Sequence, residues 1–218
     1  MLQRTAEDLW IFDQDLRLAG GLVFPSRSVL FRTKSGSLVM HSPVAFDDAA
    51  KAEIDALGEV TTLIAPSNVH YLYLASATKH WPHAKVYGSA GLEKKVPDVR
   101  FEPLSAEGTL DGLAMRRIEG APYMNEQVFF HEPSRTVVVT DLLFNIHRCA
   151  FTTQMFLRLA SAYGGLAQSR VFRFFTKDRA AARKSFDAML EWNFDRLIPS
   201  HGDMVDADAR DRARAALS

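Results

Sequence analysis

Four short segments of this sequence place polar side chains directly after apolar runs: His41-Ser42-Pro43, Ser67-Asn68-Val69-His70, Thr140-Asp141 and Ser200-His201-Gly202. Imidazole and carboxylate groups hold metal ions or move protons near neutral pH, and strand ends are where α/β proteins gather such groups. Each residue also has a plainer use. His70 and His201 can satisfy loop backbone, Asp141 can cap a helix over residues 142–150, Asn68 suits a turn, and Tyr73 suits a wall or core. Other residues carry less. Ser200-His201-Gly202-Asp203 is no hydrolase triad, because neighbours on one loop rarely converge and no nucleophile elbow precedes it. Gly20-Gly21 lacks the spacing of a phosphate-binding loop. Cys149, in an expected helix, reads as a lone buried thiol. Arg170, Arg173, Arg179 and Arg183 read as a solvated basic helix face. His80, His83, His131 and His147 have no spacing that implicates them.

The elements that must position these residues follow from pattern. Residues 10–12 are a short apolar strand before Asp13-Gln14-Asp15. Residues 28–32 and 37–41 alternate on either side of Lys34-Ser35-Gly36, a hairpin signal. Residues 47–57 read as a helix capped by Asp47 or Asp48. Residues 60–65 are a buried strand, 71–80 a helix and 84–87 a further strand, which together argue for a crossover unit. Residues 113–118, 127–131 and 136–140 are strands. The chain then reads as mostly helical from 141 to about 164, and 177–191 is an amphipathic helix with Thr176 as its cap. Residues 195–199 enter the last strand. The order predicts an α+β fold with two packed sheets and helices outside.

A chain of 218 residues with 47% hydrophobic content suits a single domain over 1–218. Lys plus Arg and Asp plus Glu both number 26. That neutrality predicts no nucleic-acid or membrane partner, and leaves a small-molecule ligand or substrate as the expected one. One cysteine excludes an internal disulfide framework. The acidic residues of the first ten positions do not suit a signal peptide, so a cytoplasmic location is expected.

Order and spacing of the four segments resemble the metallo-β-lactamase superfamily, which includes glyoxalase II-like and ribonuclease Z-like hydrolases. The resemblance covers nearly the whole chain and implies a four-layer αββα sandwich with two mixed sheets. The family's Thr-His-x-His-x-Asp-His follows a strand. Here the register places Asn68 at the first His, His70 at the second, Leu72 at the Asp and Tyr73 at the last His. A further family histidine would fall in residues 120–126, which contain none but include Glu126, a weaker pocket candidate. Thr140-Asp141-Leu142-Leu143-Phe144 matches the bridging-aspartate segment, Pro199-Ser200-His201-Gly202 matches the closing Pro-Gly-His-Gly, and Met40-His41-Ser42-Pro43 stands at the early Ile-Asp-Thr-Gly.

On that register each half of a two-metal site keeps two ligands, where catalytic zinc usually takes three plus water. His70, Asp141 and His201 together make two histidines and one carboxylate, a set for at most one Zn, Fe or Mn ion, or for none. His41 would be a fourth ligand or a supporting partner. The resemblance thus implies a divergent branch with most metal ligands replaced. Two functions follow: a mononuclear metal-dependent hydrolase of an ester, thioester or phosphoester, or a catalytically silent, metal-free binding protein that keeps fold and pocket.

Overall fold

A computed structural model describes residues 2–218. Two mixed sheets face each other with helices outside, the α+β sandwich expected from the pattern. The first sheet holds seven strands in chain order: β1 (Leu2–Ala6), β2 (Leu9–Arg17), β3 (Val23–Arg32), β4 (Leu38–His41), β5 (Val60–Ala65), β6 (Lys85–Gly88) and β7 (Glu102–Pro103). It is antiparallel up to β4 and parallel from there on. The second sheet contains β8 (Glu107–Leu110), β9 (Leu113–Arg117), β10 (Gln127–His131), β11 (Thr136–Val139) and β12 (Arg196–Pro199), in the order β12-β11-β10-β9-β8. Only its β11–β12 pair is parallel.

Alternation decides which side chains fill which layer. Ile11, Val29, Phe31, Val39 and Ile64 point inward to meet Met115, Phe129, Val138 and Ile198 of the other sheet. The opposite face of the first sheet packs on α1 (Asp48–Asp55) and α2 (Leu74–His80). Asp47 caps α1 by accepting the Ala50 N–H at 2.8 Å. The outer face of the second sheet is covered by α5 (Arg179–Leu190) and α6 (Ala209–Ala216). The cap of α5 is Asp178, not Thr176, and its side chain accepts from Ala181.

Two expectations are corrected. β2 does not stop at residue 12. It runs through Asp13-Gln14-Asp15 because the two acids fall on its more exposed face. The chain from 141 to 164 is helical only in α3 (Phe151–Leu159), and a short α4 (Arg170–Phe175) follows. Leu142 through Ile146 are consecutively buried, which a surface helix cannot achieve. The chain bends at Leu142, and bridges then run from Phe144 to Ala167, Asn145 to Gly202 and Ile146 to Tyr163. Asp141 therefore caps no helix, and Cys149 precedes α3, half-buried and unpaired among the described residues. Among the described residues no helix is long and apolar enough to cross a membrane.

Candidate metal centre

His70 sits in the loop after β5. Its backbone is turned by Ser67, whose Oγ accepts the N–H groups of Val69 at 3.3 Å and His70 at 3.1 Å. Its Nδ1 meets Ser42 Oγ at 2.7 Å. Ser42 reaches that point because it adopts φ 53° just beyond β4, a left-handed conformation uncommon outside glycine.

His201 follows β12 and is held from three sides. Its Nδ1 donates to the Pro25 carbonyl at 2.7 Å, which leaves the Nε2 lone pair of the neutral ring facing the cavity. Its ring stacks on Phe144, centroids 5.0 Å apart. The buried Arg27 guanidinium donates to the carbonyls of Pro199 at 3.0 Å and Gly202 at 2.8 Å, and pairs with Asp13 at 2.6 Å. Gly202, at φ +99°, lets this loop touch residue 145: an added Cβ would lie 2.2 Å from the Asn145 carbonyl oxygen.

Asp141 comes just after β11. The buried Glu126 carboxylate accepts the N–H of Thr140 at 2.7 Å and of Asp141 at 2.9 Å. The two carboxyls are pushed apart. Burial and then the Asp141 charge raise that of Glu126 well above the usual carboxylate range. Burial opposes ionisation of Asp141 too, but the imidazoles of His70 and His201 outweigh it and hold this carboxyl well below that range.

These three side chains converge. His70 Nε2 lies 3.2 Å from His201 Nε2 and 3.2 Å from Asp141 Oδ2, and His201 Nε2 lies 3.6 Å from Asp141 Oδ1. They are the one cluster of metal-ligating type among the described residues, with ligand atoms within 4.8 Å of one another. Asp141 Oδ2 is buried and, despite the nearby imidazole, makes no hydrogen bond of acceptable geometry. Ligands about 2.1 Å from one ion, at octahedral or tetrahedral angles, lie about 3.0–3.4 Å apart. Both contacts of His70 Nε2 have that spacing, and the third, His201 Nε2 to Asp141 Oδ1, is slightly longer at 3.6 Å, so the donor set fits one divalent cation after a small adjustment of side chains. Ser42, Pro25 and Glu126 stand where supporting hydrogen bonds orient ligands.

The other candidates lie elsewhere. His41 faces the inter-sheet core, 5.2 Å from the Phe129 ring, with neither ring nitrogen hydrogen-bonded. Burial, and next the charge of His70, lower its pKa to about 3, and it does not line the cavity. Asn68 turns its amide nitrogen toward the Pro122 carbonyl at 3.4 Å, its backbone carbonyl accepts from Lys95, and its Oδ1 is buried without a hydrogen-bond partner. Glu126 lies behind Asp141, not in the cavity. Tyr73 lines the cavity wall. Sequence reasoning missed Ser42, the Pro25 carbonyl and Arg27. Only Arg27 left a signal, a cation inside the apolar run of β3.

Above the cluster lies a cavity of about 250 Å³. Its floor is Ser42, His70, Asp141 and His201, and its walls include Phe24, Val69, Phe144, Leu157 and Val171.

No protein-family model and no curated protein matches the sequence. Solved structures do. The metallo-β-lactamase FIM-1 from Pseudomonas aeruginosa, in its mono-zinc form, matches at 14% identity and a TM-score of 0.67, over 100% of this chain and 94% of that one. A metallo-β-lactamase from Hirschia baltica matches at 10% identity and a TM-score of 0.67, over 100% and 97%. The metal-soaked flavodiiron core of Flv1 from Synechocystis sp. PCC6803 matches at 15% identity and a TM-score of 0.67, over 99% of this chain and 59% of that one. The chain thus has the metallo-β-lactamase fold.

Proposed function

We propose that this chain, built on the metallo-β-lactamase fold, is a mononuclear metal-dependent hydrolase of a small acyl ester or thioester. The observation that carries the reading is the convergence of two imidazole Nε2 atoms on the Asp141 carboxylate, whose buried Oδ2 makes no hydrogen bond and lies 3.2 Å from His70 Nε2, with the ligand atoms all within 4.8 Å of one another. His70, Asp141 and His201 would hold the ion. When bound, it supplies Lewis acidity toward a carbonyl oxygen and lowers the pKa of a water. The chain itself does the positioning. Ser42 and Pro25 set the imidazole orientations, Glu126 anchors the Asp141 backbone, and the apolar walls exclude solvent around the acyl group. Among the described residues no lysine or arginine lines the cavity, which favours a neutral acyl substrate over a phosphoester. The ligand set has room for one ion, because Leu72 offers no donor atom and Asn68 does not line the cavity.

The competing reading, a metal-free binding protein, is supported by the 3.2 Å contact between the two imidazole Nε2 atoms, in which the cluster can satisfy itself by sharing one proton. Elemental analysis of protein purified without chelator separates the two, together with hydrolysis of short-chain p-nitrophenyl esters and acyl thioesters. The expected result is about one ion per chain and measurable turnover, both lost in His70→Ala and His201→Ala. A folded, metal-free and inert wild type would establish the silent reading. Two tightly held ions per chain would overturn both.

A further inference from the structure

Exposed apolar residues are not scattered over this molecule. Among the described residues nine large ones are exposed, and six belong to α3 and α4: Phe151, Met155, Phe156, Leu159, Val171 and Phe174. Leu18 and Leu72 line the cavity mouth with Phe156 and Val171, and Tyr123 stacks on Phe175 of α4 at 4.1 Å. Phe151, Leu159 and Phe174 are more than 70% exposed, at 74%, 72% and 74%. Phe156, Leu159, Val171 and Phe174 line one groove between the two helices, so the residues form one patch. Monomeric proteins rarely leave such a patch uncovered without a use for it.

Two cations stand on the patch itself: Arg170 lines the groove and Arg158 is exposed on α3 beside Leu159, while Arg148 and Arg173 line neighbouring pockets, the former with Asp13, Asp15 and Asp203. From residue 142 to 177 the sequence carries Arg148, Arg158, Arg170, Arg173 and Lys177 and no acidic residue. None of the five makes an ion pair among the described residues. The zero net charge of the whole chain conceals this segregation.

We propose that α3, α4 and the cavity mouth form a docking face for an anionic lipid surface. Apolar side chains flanked by cations are the composition that binds such surfaces, each element adding to the other. A second copy is a poorer occupant, because two-fold pairing through this groove would set Arg158 and Arg170 against the same cations of the other copy. The cavity is continuous with the face: Phe156 and Val171 line both it and the groove. An apolar chain leaving the lipid would therefore meet apolar walls on its way to the site. The docking does not depend on the metal reading.

Sedimentation with vesicles tests it, using phosphatidylcholine alone and with about one third phosphatidylglycerol. The full chain should bind the anionic vesicles, more weakly as salt rises, and bind the neutral ones poorly. Each cation removed should weaken binding roughly fivefold, so Arg158→Gln/Arg170→Gln should lose about 25-fold. Leu159→Ser/Phe174→Ser should lose about tenfold or more. These positions are exposed, and an unchanged circular dichroism spectrum verifies folding. Asp141→Ala should bind vesicles like wild type even where metal is lost, which keeps the two readings separable. Failure to sediment with anionic vesicles, or equal binding to neutral ones, would overturn the proposal. Self-association lost in Leu159→Ser/Phe174→Ser, with no vesicle binding, would instead assign the face to a second copy.

Discussion

On one side of the cavity floor each cluster side chain is braced from behind: His70 by Ser42, His201 by Pro25, and the Asp141 backbone by Glu126. On the other side, where the family register would set further ligands, stand Leu72 at the open mouth, Tyr73 in the wall and Asn68 turned toward Pro122. The difference shows what a ligand position requires. A side chain of the right type is not enough, since a flexible donor costs entropy to fix, and the braces remove that cost beforehand.

The largest break in this contrast is expected at Gly202. An alanine Cβ there would overlap the Asn145 carbonyl at a φ that disfavours any side chain. Gly202→Ala should lose about 3 kcal/mol or more in urea unfolding, and metal with it. Ser42→Ala removes a brace and keeps the ligand. Metal affinity should fall about 10–100-fold with unfolding nearly unchanged, readable by competition with a chromogenic chelator.

His41 sharpens the contrast through pH. The fold holds its pKa near 3 against an ordinary 6.5, so below pH 6.5 the unfolded chain takes up a proton that the folded chain refuses. Stability should therefore fall as pH drops from 6.5 toward 3, by up to about 1.4 kcal/mol per unit from this group. His41→Leu should flatten that slope and leave metal content unchanged, as urea unfolding and elemental analysis at pH 7 and 5 would show. A loss of metal would instead tie His41 to the site. The smallest effect belongs to Leu72→Asp. This added carboxylate is exposed and has no brace, so stability should move within about 0.5 kcal/mol and metal content should not rise. A second ion there would erase the distinction between the two sides.

Much of the fold was legible because strands announce themselves by alternation and turns. β5 and β10 fall on the expected residues, and the hairpin through Lys34-Ser35-Gly36 pairs Val29 with His41. The legible part ended where burial came from several directions at once. Residues 142–146, apolar but for Asn145, suggest a helix face, yet Leu142 and Leu143 join the core under α5 and α6 while Phe144 and Ile146 join a second cluster and 144–146 form β-bridges.

What the sequence determined alone is the set of strand ends and the chemistry available at each, because periodicity and residue type are local properties. Which of those residues meet was decided by the tertiary structure. His41 is the last residue of β4, and His70 follows β5, the neighbouring strand of the same sheet, by a few residues. The two-residue period of β4 sends His41 to the same face as Val39, into the inter-sheet core, whereas His70 lies beyond β5 in a loop free of that period. Pro25 and Arg27 became parts of the site only when β3 met the loop after β12 of the facing sheet, and Ser42 when β4 paired with β5, across sequence separations that no local pattern records.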